Sequence, residues 1–192
     1  MEIDVSKIIN IKTRSEFRDW LTNFSNKEKE CYVHVKRGNP VDPNRFYYLD
    51  AVEEAICFGW IDSVYVSYNG KRYQRFSPRR KNGQWTELNK ERARRLIKLG
   101  LMNKEGKKTL PKLGVRSFKI PLEIERILKE HRVWSNFKKF PPLYQRVRVS
   151  NILFYKRRDP NAYKKMLNHL IKETKKGEMF GEWNDYGRLL NY

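Results

Sequence analysis

Asn69-Gly70 stands between two runs rich in alternating apolar and polar residues, Ile61–Tyr68 and Lys71–Ser77. A two-residue loop of this composition favours a type I′ turn, because both central residues accept positive φ and the turn's twist matches that of the strands. It predicts an antiparallel hairpin and sets its register. Pairing Tyr68 with Lys71 places Val66 opposite Tyr73 and Tyr65 opposite Gln74. Arg72, Gln74 and Phe76 then share one face, and Tyr73 and Arg75 the other.

The flanking segments supply partners for this hairpin. Thr13-x-x-Glu16 is a capping box, and Phe17, Trp20, Leu21 and Phe24 recur at helical spacing, so a helix is expected over Arg14–Phe24. Glu30–Arg37 alternates as a strand with Cys31, Val33 and Val35 on one side. Turn formers fill Gly38–Asn44. A second helix is expected over Leu49–Phe58, with Leu49, Val52, Ala55 and Ile56 inward, Glu53 and Glu54 outward, and Gly59 ending it. Ser77–Gly83 reads as a basic loop. A third helix begins near Glu87 with Thr86 as its cap and stops at Gly100. Trp85, Leu88, Arg92, Leu96 and Leu99 track one face of it, leaving Arg94, Arg95 and Lys98 in solvent.

Residues 111–121 read as a linker, and the chain beyond them is helical. Pro121 suits the first turn of a helix carrying Ile124, Ile127 and Leu128, and another runs over about Leu143–Arg157. Asp159-Pro160 opens a last helix, which puts Tyr163, Leu167 and Leu170 on one stripe and frays at 175–177. The expected fold is α+β: a small antiparallel sheet with covering helices over residues 1–112, followed by a C-terminal helical module over 118–192.

The charge is unevenly spread. Net charge is +20, yet residues 1–70 hold 9 Lys/Arg against 11 Asp/Glu, and residues 71–192 hold 33 against 11. Lys71–Lys98 alone carries eleven basic residues against Glu87 and Glu91. Such asymmetry points to an anionic partner. No apolar run is long enough to span a bilayer, and Met1–Lys7 lacks the layout of a signal peptide, so a cytoplasmic location is expected.

Arg75-Phe-Ser-Pro-Arg-Arg80 with Trp85 combines guanidinium forks and aromatic surfaces, the chemistry for gripping phosphates while stacking on a base. Phe76 and Trp85 also read as core anchors, and Arg75 as a partner of Asp62. Asp62 beside Trp60 is a lone carboxylate with no paired acid or histidine, so no catalytic residue is assigned. Asn89 and Lys90 lie in the first turn of a helix, where donors meet anions. The candidate binding set is therefore Trp60, Asp62, Arg75, Phe76, Ser77, Arg79, Arg80, Trp85, Asn89 and Lys90. His34, His131 and His169 lie apart at no metal-ligand spacing, and Cys31 and Cys57 read as small buried hydrophobes; neither metal nor cofactor is expected.

Tyr48-Leu-Asp-Ala-Val-Glu-Glu-Ala-Ile-Cys-Phe-Gly-Trp-Ile-Asp-Ser63 resembles the YdeI/OmpD-associated, or bacteriocin-protection, family. So do Tyr73–Arg80 with Trp85 and Asn89-Lys90, and the tail from Ile120-Pro-Leu-Glu through Phe140-Pro-Pro-Leu-Tyr144. Gly83 and Thr86 replace serines usual around the tryptophan, and Asn161-Ala162 replaces a more usual Thr-Arg. The resemblance implies a link to stress or antimicrobial-peptide tolerance and supplies no catalytic residues. The expected function is that of a non-catalytic cytosolic protein binding an anionic partner, with nucleic acid favoured. The alternative is an enzyme or sensor taking a small phosphorylated or carboxylated ligand in a pocket walled by Trp60, Asp62, Arg75, Trp85 and Asn89.

Overall fold

In the computed structural model, which describes residues 3–192, strands β1 (Ile8–Ile9), β2 (Cys31–Val33), β3 (Trp60–Tyr68) and β4 (Lys71–Pro78) form a sheet in the order β1-β2-β4-β3. The hairpin has the register its turn dictates: Tyr68 faces Lys71, Val66 faces Tyr73 and Tyr65 faces Gln74. Asn69 and Gly70 both take positive φ, +46° and +71°, as type I′ geometry requires.

The sheet is mixed rather than purely antiparallel, because β1 pairs parallel with β2. Two residues carry too little pattern to announce a strand. β2 is also shorter than expected. Past Val33 the chain leaves β4, and Lys36 N–H instead donates to Phe46 O at 2.9 Å while Lys36 O accepts from Tyr48 N–H at 2.9 Å.

Helices α1 (Arg14–Phe24) and α2 (Tyr48–Cys57) belong to the same unit as this sheet. Thr13 Oγ1 accepts from Glu16 N–H, and the Glu16 carboxylate accepts from Lys12 N–H, so the capping box closes one residue early. Phe17 is fully buried with its ring centroid 5.5 Å from that of Phe76, and Trp20 meets Trp60 edge-on at 5.6 Å. Such aromatic pairs add to the apolar burial that anchors helix to sheet.

The expectation that Glu53 and Glu54 face solvent is overturned. Every residue of α2 from Leu49 to Cys57 is buried, including both glutamates and Asp50. Arg14 bridges Glu53 at 2.7 Å and Glu54 at 2.6 Å, and Arg18 holds the other oxygen of Glu54 at 2.7 Å. From α3 (Glu87–Lys98), Arg95 reaches Glu53 at 2.7 Å, so Arg95 is not a solvated side chain. Buried carboxylates survive only when paired in this way. Burial disfavours the Arg14 charge, but Glu53 and Glu54 outweigh that and raise its pKa. The buried side of α3 runs through Ala93 and Leu96, whereas Leu99 is exposed. A short helix, α4 (Lys104–Lys108), comes next.

The chain divides into two compact units, Met1–Gln84 with Arg92–Pro111, and Trp85–Glu91 with Lys112–Tyr192; the division falls within α3. The second unit holds α5 (Leu122–Glu130), α6 (Trp134–Lys139), α7 (Pro142–Tyr155) and α8 (Pro160–Lys176). Ile124, Leu128, Phe137, Tyr144, Leu167 and Leu170 share its core. The segment read as a linker contains a 3-10 turn, Val115–Ser117, and its Phe118 and Ile120 pack on that core. Helix α8 runs unbroken through Lys176 rather than fraying at 175, with Asp159 accepting from the N–H groups of Asn161 and Ala162 at its start.

Cys31 and Cys57 are buried and unbridged. Burial pushes both thiols up, Cys57 to about 12. Because the thiolate is the reactive form, native protein at about pH 8 should leave both unlabelled by a thiol-reactive reagent, and only unfolding should release two equivalents. Rapid labelling of folded protein would contradict this burial.

Candidate anion-binding surface

A β-bulge organises the outer part of the hairpin. Asp62 faces Phe76 and Tyr65 faces Gln74, so β3 carries one residue more than β4 across this step. Bulges free ladder groups and re-aim side chains. Here the carbonyls of Ser63 and Val64 accept from Gln74 Nε2 at 3.1 and 3.2 Å. The other end of the Gln74 amide, fully buried in the sheet, accepts from Arg37 Nη2 at 2.8 Å.

That bond fixes Arg37 between two rings. Its guanidinium carbon lies 3.7 Å from the Tyr48 ring centre and 4.7 Å from that of Tyr65, and the Arg72 guanidinium lies 5.8 Å from Tyr65. The outcome is an alternating array of Tyr48, Arg37, Tyr65 and Arg72, with Tyr65 and Arg72 exposed. Guanidiniums on aromatic faces are held flat, with N–H groups left at the edge for phosphate oxygens.

Asp62 lies beside this array and accepts from the Tyr48 hydroxyl at 2.7 Å. Burial and then Asp62 raise the Tyr48 pKa, against the pull of Arg92 and Arg37, so the phenol stays protonated. Arg79 also feels Asp62, but burial dominates and lowers its pKa to about 10. The expectation of Arg79 on an open loop is corrected: its N–H donates to Gly59 O at 2.8 Å and its Nη1 to Gln84 O at 3.3 Å, which folds it inward. Arg80, next in sequence, is exposed. An Arg79→Ala variant should therefore lose stability with little change in anion affinity, whereas Arg80→Ala should do the reverse; melting curves paired with binding isotherms would separate the two.

The other expected site residues scatter. Trp60 is 1% exposed with its indole N–H on Ser25 O at 3.2 Å, and Phe76 is fully buried, so both serve the core. Arg75 pairs with Glu30 at 2.5 Å and donates to Ser63 Oγ at 3.1 Å, not to Asp62. The register explains why, since Asp62 shares a face with Phe76 and neighbouring β4 residues alternate faces. Ser77 faces Ile61 and is half-buried. Trp85, Asn89 and Lys90 belong to the second unit. There Asn89 N–H donates to Thr86 Oγ1, capping α3, and Lys90 bridges Glu87 at 2.7 Å.

One concave feature of the first unit was not foreseen. A cleft of about 920 Å³ carries Lys12, Lys36, Arg45, Lys71 and His34 on its walls, and among the described residues no carboxylate lines it. Its apolar part comes from Ile8, Ile9, Ile11, Val35 and Phe46, with Tyr73 at one side. His34 Nδ1 lies 2.9 Å from Arg72 O, and since a carbonyl only accepts, that nitrogen carries the proton. The only sequence signal was the expectation of strand alternation, which turned His34 and Lys36 to one side.

The second unit has a smaller cleft of about 430 Å³ beside Trp134, lined by Arg116, Lys119, Lys138 and Arg146 together with Glu125. Among the described residues no three His, Cys, Asp or Glu side chains gather as a metal site, and no helix is long and apolar enough to cross a membrane. No curated protein and no solved structure matches the chain. A family model described as Domain of unknown function (DUF8412) matches residues 9–109. That span takes in all four residues of the tyrosine–arginine array and every wall of the larger cleft except Ile8. As the match runs over more than half of the 192 residues, the chain belongs to the DUF8412 family of domains of unknown function.

Proposed function

We propose that this protein is a cytoplasmic, non-catalytic binder of anionic partners, nucleic acid above all, and that the β3–β4 hairpin is a principal contact face. One observation carries the reading: more acidic than basic side chains are withdrawn from the surface. Among the described residues seven carboxylates are buried, Asp50, Glu53, Glu54, Glu87, Glu91, Glu173 and Asp185, against three arginines and no lysine. The surface is left richer in cations than composition alone requires, which is the electrostatic footprint of a phosphate-binding protein. The tyrosine–arginine array adds ring faces on which unstacked bases pack, so single strands are the favoured form. Resemblance to YdeI/OmpD-associated proteins supports a role in stress or antimicrobial-peptide tolerance.

Fluorescence anisotropy with a labelled single-stranded DNA, its RNA counterpart and the duplex tests the reading. Single strands should bind at least as tightly as the duplex. Tyr65→Ala should weaken single-strand binding by about 1–3 kcal/mol, the usual worth of one stacked base. Equal affinity of wild type and an Arg37→Ala/Arg72→Ala double variant for every probe would remove the hairpin from the contact face.

A further inference from the structure

We infer that the cleft beside β1 is a small-molecule site for an organic phosphate with a planar body, of the purine nucleoside monophosphate class. This goes beyond polymer binding and rests on residues other than the tyrosine–arginine array. β1 and β2 form the sheet's parallel pair, and past Ile9 and Val33 their chains separate. One continues through Asn10–Lys12 into α1; the other continues through His34–Lys36, whose last residue bonds to the stretch preceding α2. The cleft lies between these diverging segments. A crevice past the carboxyl ends of parallel strands that part company is where open α/β sheets bind ligands.

Its chemistry selects the ligand. Lys12, Lys36, Arg45 and Lys71 line the cleft, and no carboxylate of the described residues joins them in the lining, which suits a dianionic phosphate monoester. Acids do stand near: Asp42 holds Arg45 Nε at 3.0 Å and Glu16 accepts from Lys12 N–H, but neither faces the cleft. Tyr73 and the isoleucines offer flat and apolar contact for a ring. Asn10 and Asn44 put two carboxamides on the lining, and a carboxamide pairs bidentately with the edge of a purine. An alkyl chain would leave both amides without use, which favours a base over a fatty acyl anion. The volume falls within the range of about 300–1,000 Å³ typical of single-ligand pockets, so the cleft suits one nucleotide rather than a strand.

Calorimetric titration of the full chain with AMP, GMP, adenosine, inorganic phosphate and octanoate tests this. AMP or GMP should bind at least about tenfold more tightly than adenosine, phosphate or octanoate, a gap of about 1.4 kcal/mol. Lys12→Glu/Lys36→Glu should abolish that binding, and melting curves for this variant, whose altered side chains are exposed, should match wild type. Arg37→Ala/Arg72→Ala should retain it, which separates this site from the hairpin face. The inference is overturned if no nucleotide binds, if phosphate, adenosine or octanoate binds equally well, if the charge-reversed variant keeps its affinity, or if the arginine double variant loses it.

Discussion

Gly106→Ala should lower the melting temperature of the first unit by about 12 °C or more, a loss of about 3 kcal/mol for a unit of this size. A Cβ at this position would stand 2.1 Å from Cys57 O and 2.7 Å from both Cys57 C and Met102 Sδ. The nearest of these atoms is backbone, at the last residue of α2, and cannot step aside like the end of a side chain. Several bonds fix that approach: Asn103 N–H donates to Cys57 O at 3.0 Å, and Asn103 Oδ1 caps α4 by accepting from Glu105 N–H. Gly59 accommodates the same crossing from the other side, since a Cβ there would meet Thr109 Cγ2 at 2.9 Å. Gly114 has open space around it, and Gly114→Ala should stay within about 0.5 kcal/mol of wild type. Thermal unfolding followed by circular dichroism decides the matter; equal midpoints for the two variants would contradict the packing of α4 on the end of α2.

Glu53→Ala should cost about 3 kcal/mol, at the low end for removing one partner of a buried ion pair because both arginines keep some access to water. Glu53 is fully buried, and its two carboxylate oxygens hold Arg14 and Arg95 at 2.7 Å each. Truncation leaves two guanidiniums competing for Glu54 and Asp50, which Arg14 already touches at 2.6 and 3.4 Å. Glu53→Gln should recover part of the loss by accepting one of the two bonds. Chemical denaturation should show a lower midpoint with an unchanged slope. An alanine variant as stable as wild type would mean that the network contributes nothing net.

Local chemistry made part of this fold legible. The Asn69-Gly70 turn set the hairpin register residue by residue, and Thr13 and Asp159 marked helix starts, because each acts within a few residues of itself. What failed depended on partners distant in sequence. Glu53 and Glu54 sit where a polar helix face belongs, and nothing near them announced that Arg14, Arg18 and Arg95 would follow them inside. The proposed pocket joined Asp62 to Arg75 through proximity along the hairpin, but strand alternation and the bulge send them to different partners, Tyr48 and Glu30. Arg37, Tyr65 and Arg72 went unnoticed because the array needs Gln74 as a buried pivot. The cleft draws on four separated stretches of the first unit, and β1, which forms one of its walls, is two residues long.

The salt dependence of single-strand affinity tests the central proposal most directly. If the outward cations grip phosphates, log K for a labelled single-stranded oligonucleotide should fall linearly with log salt between about 50 and 200 mM, with a slope of about −0.7 per phosphate contacted. Arg37, Arg72 and Arg80 together predict a slope of about −2. A slope near zero, or no binding even at about 50 mM salt, would contradict the proposal that this surface binds nucleic acid.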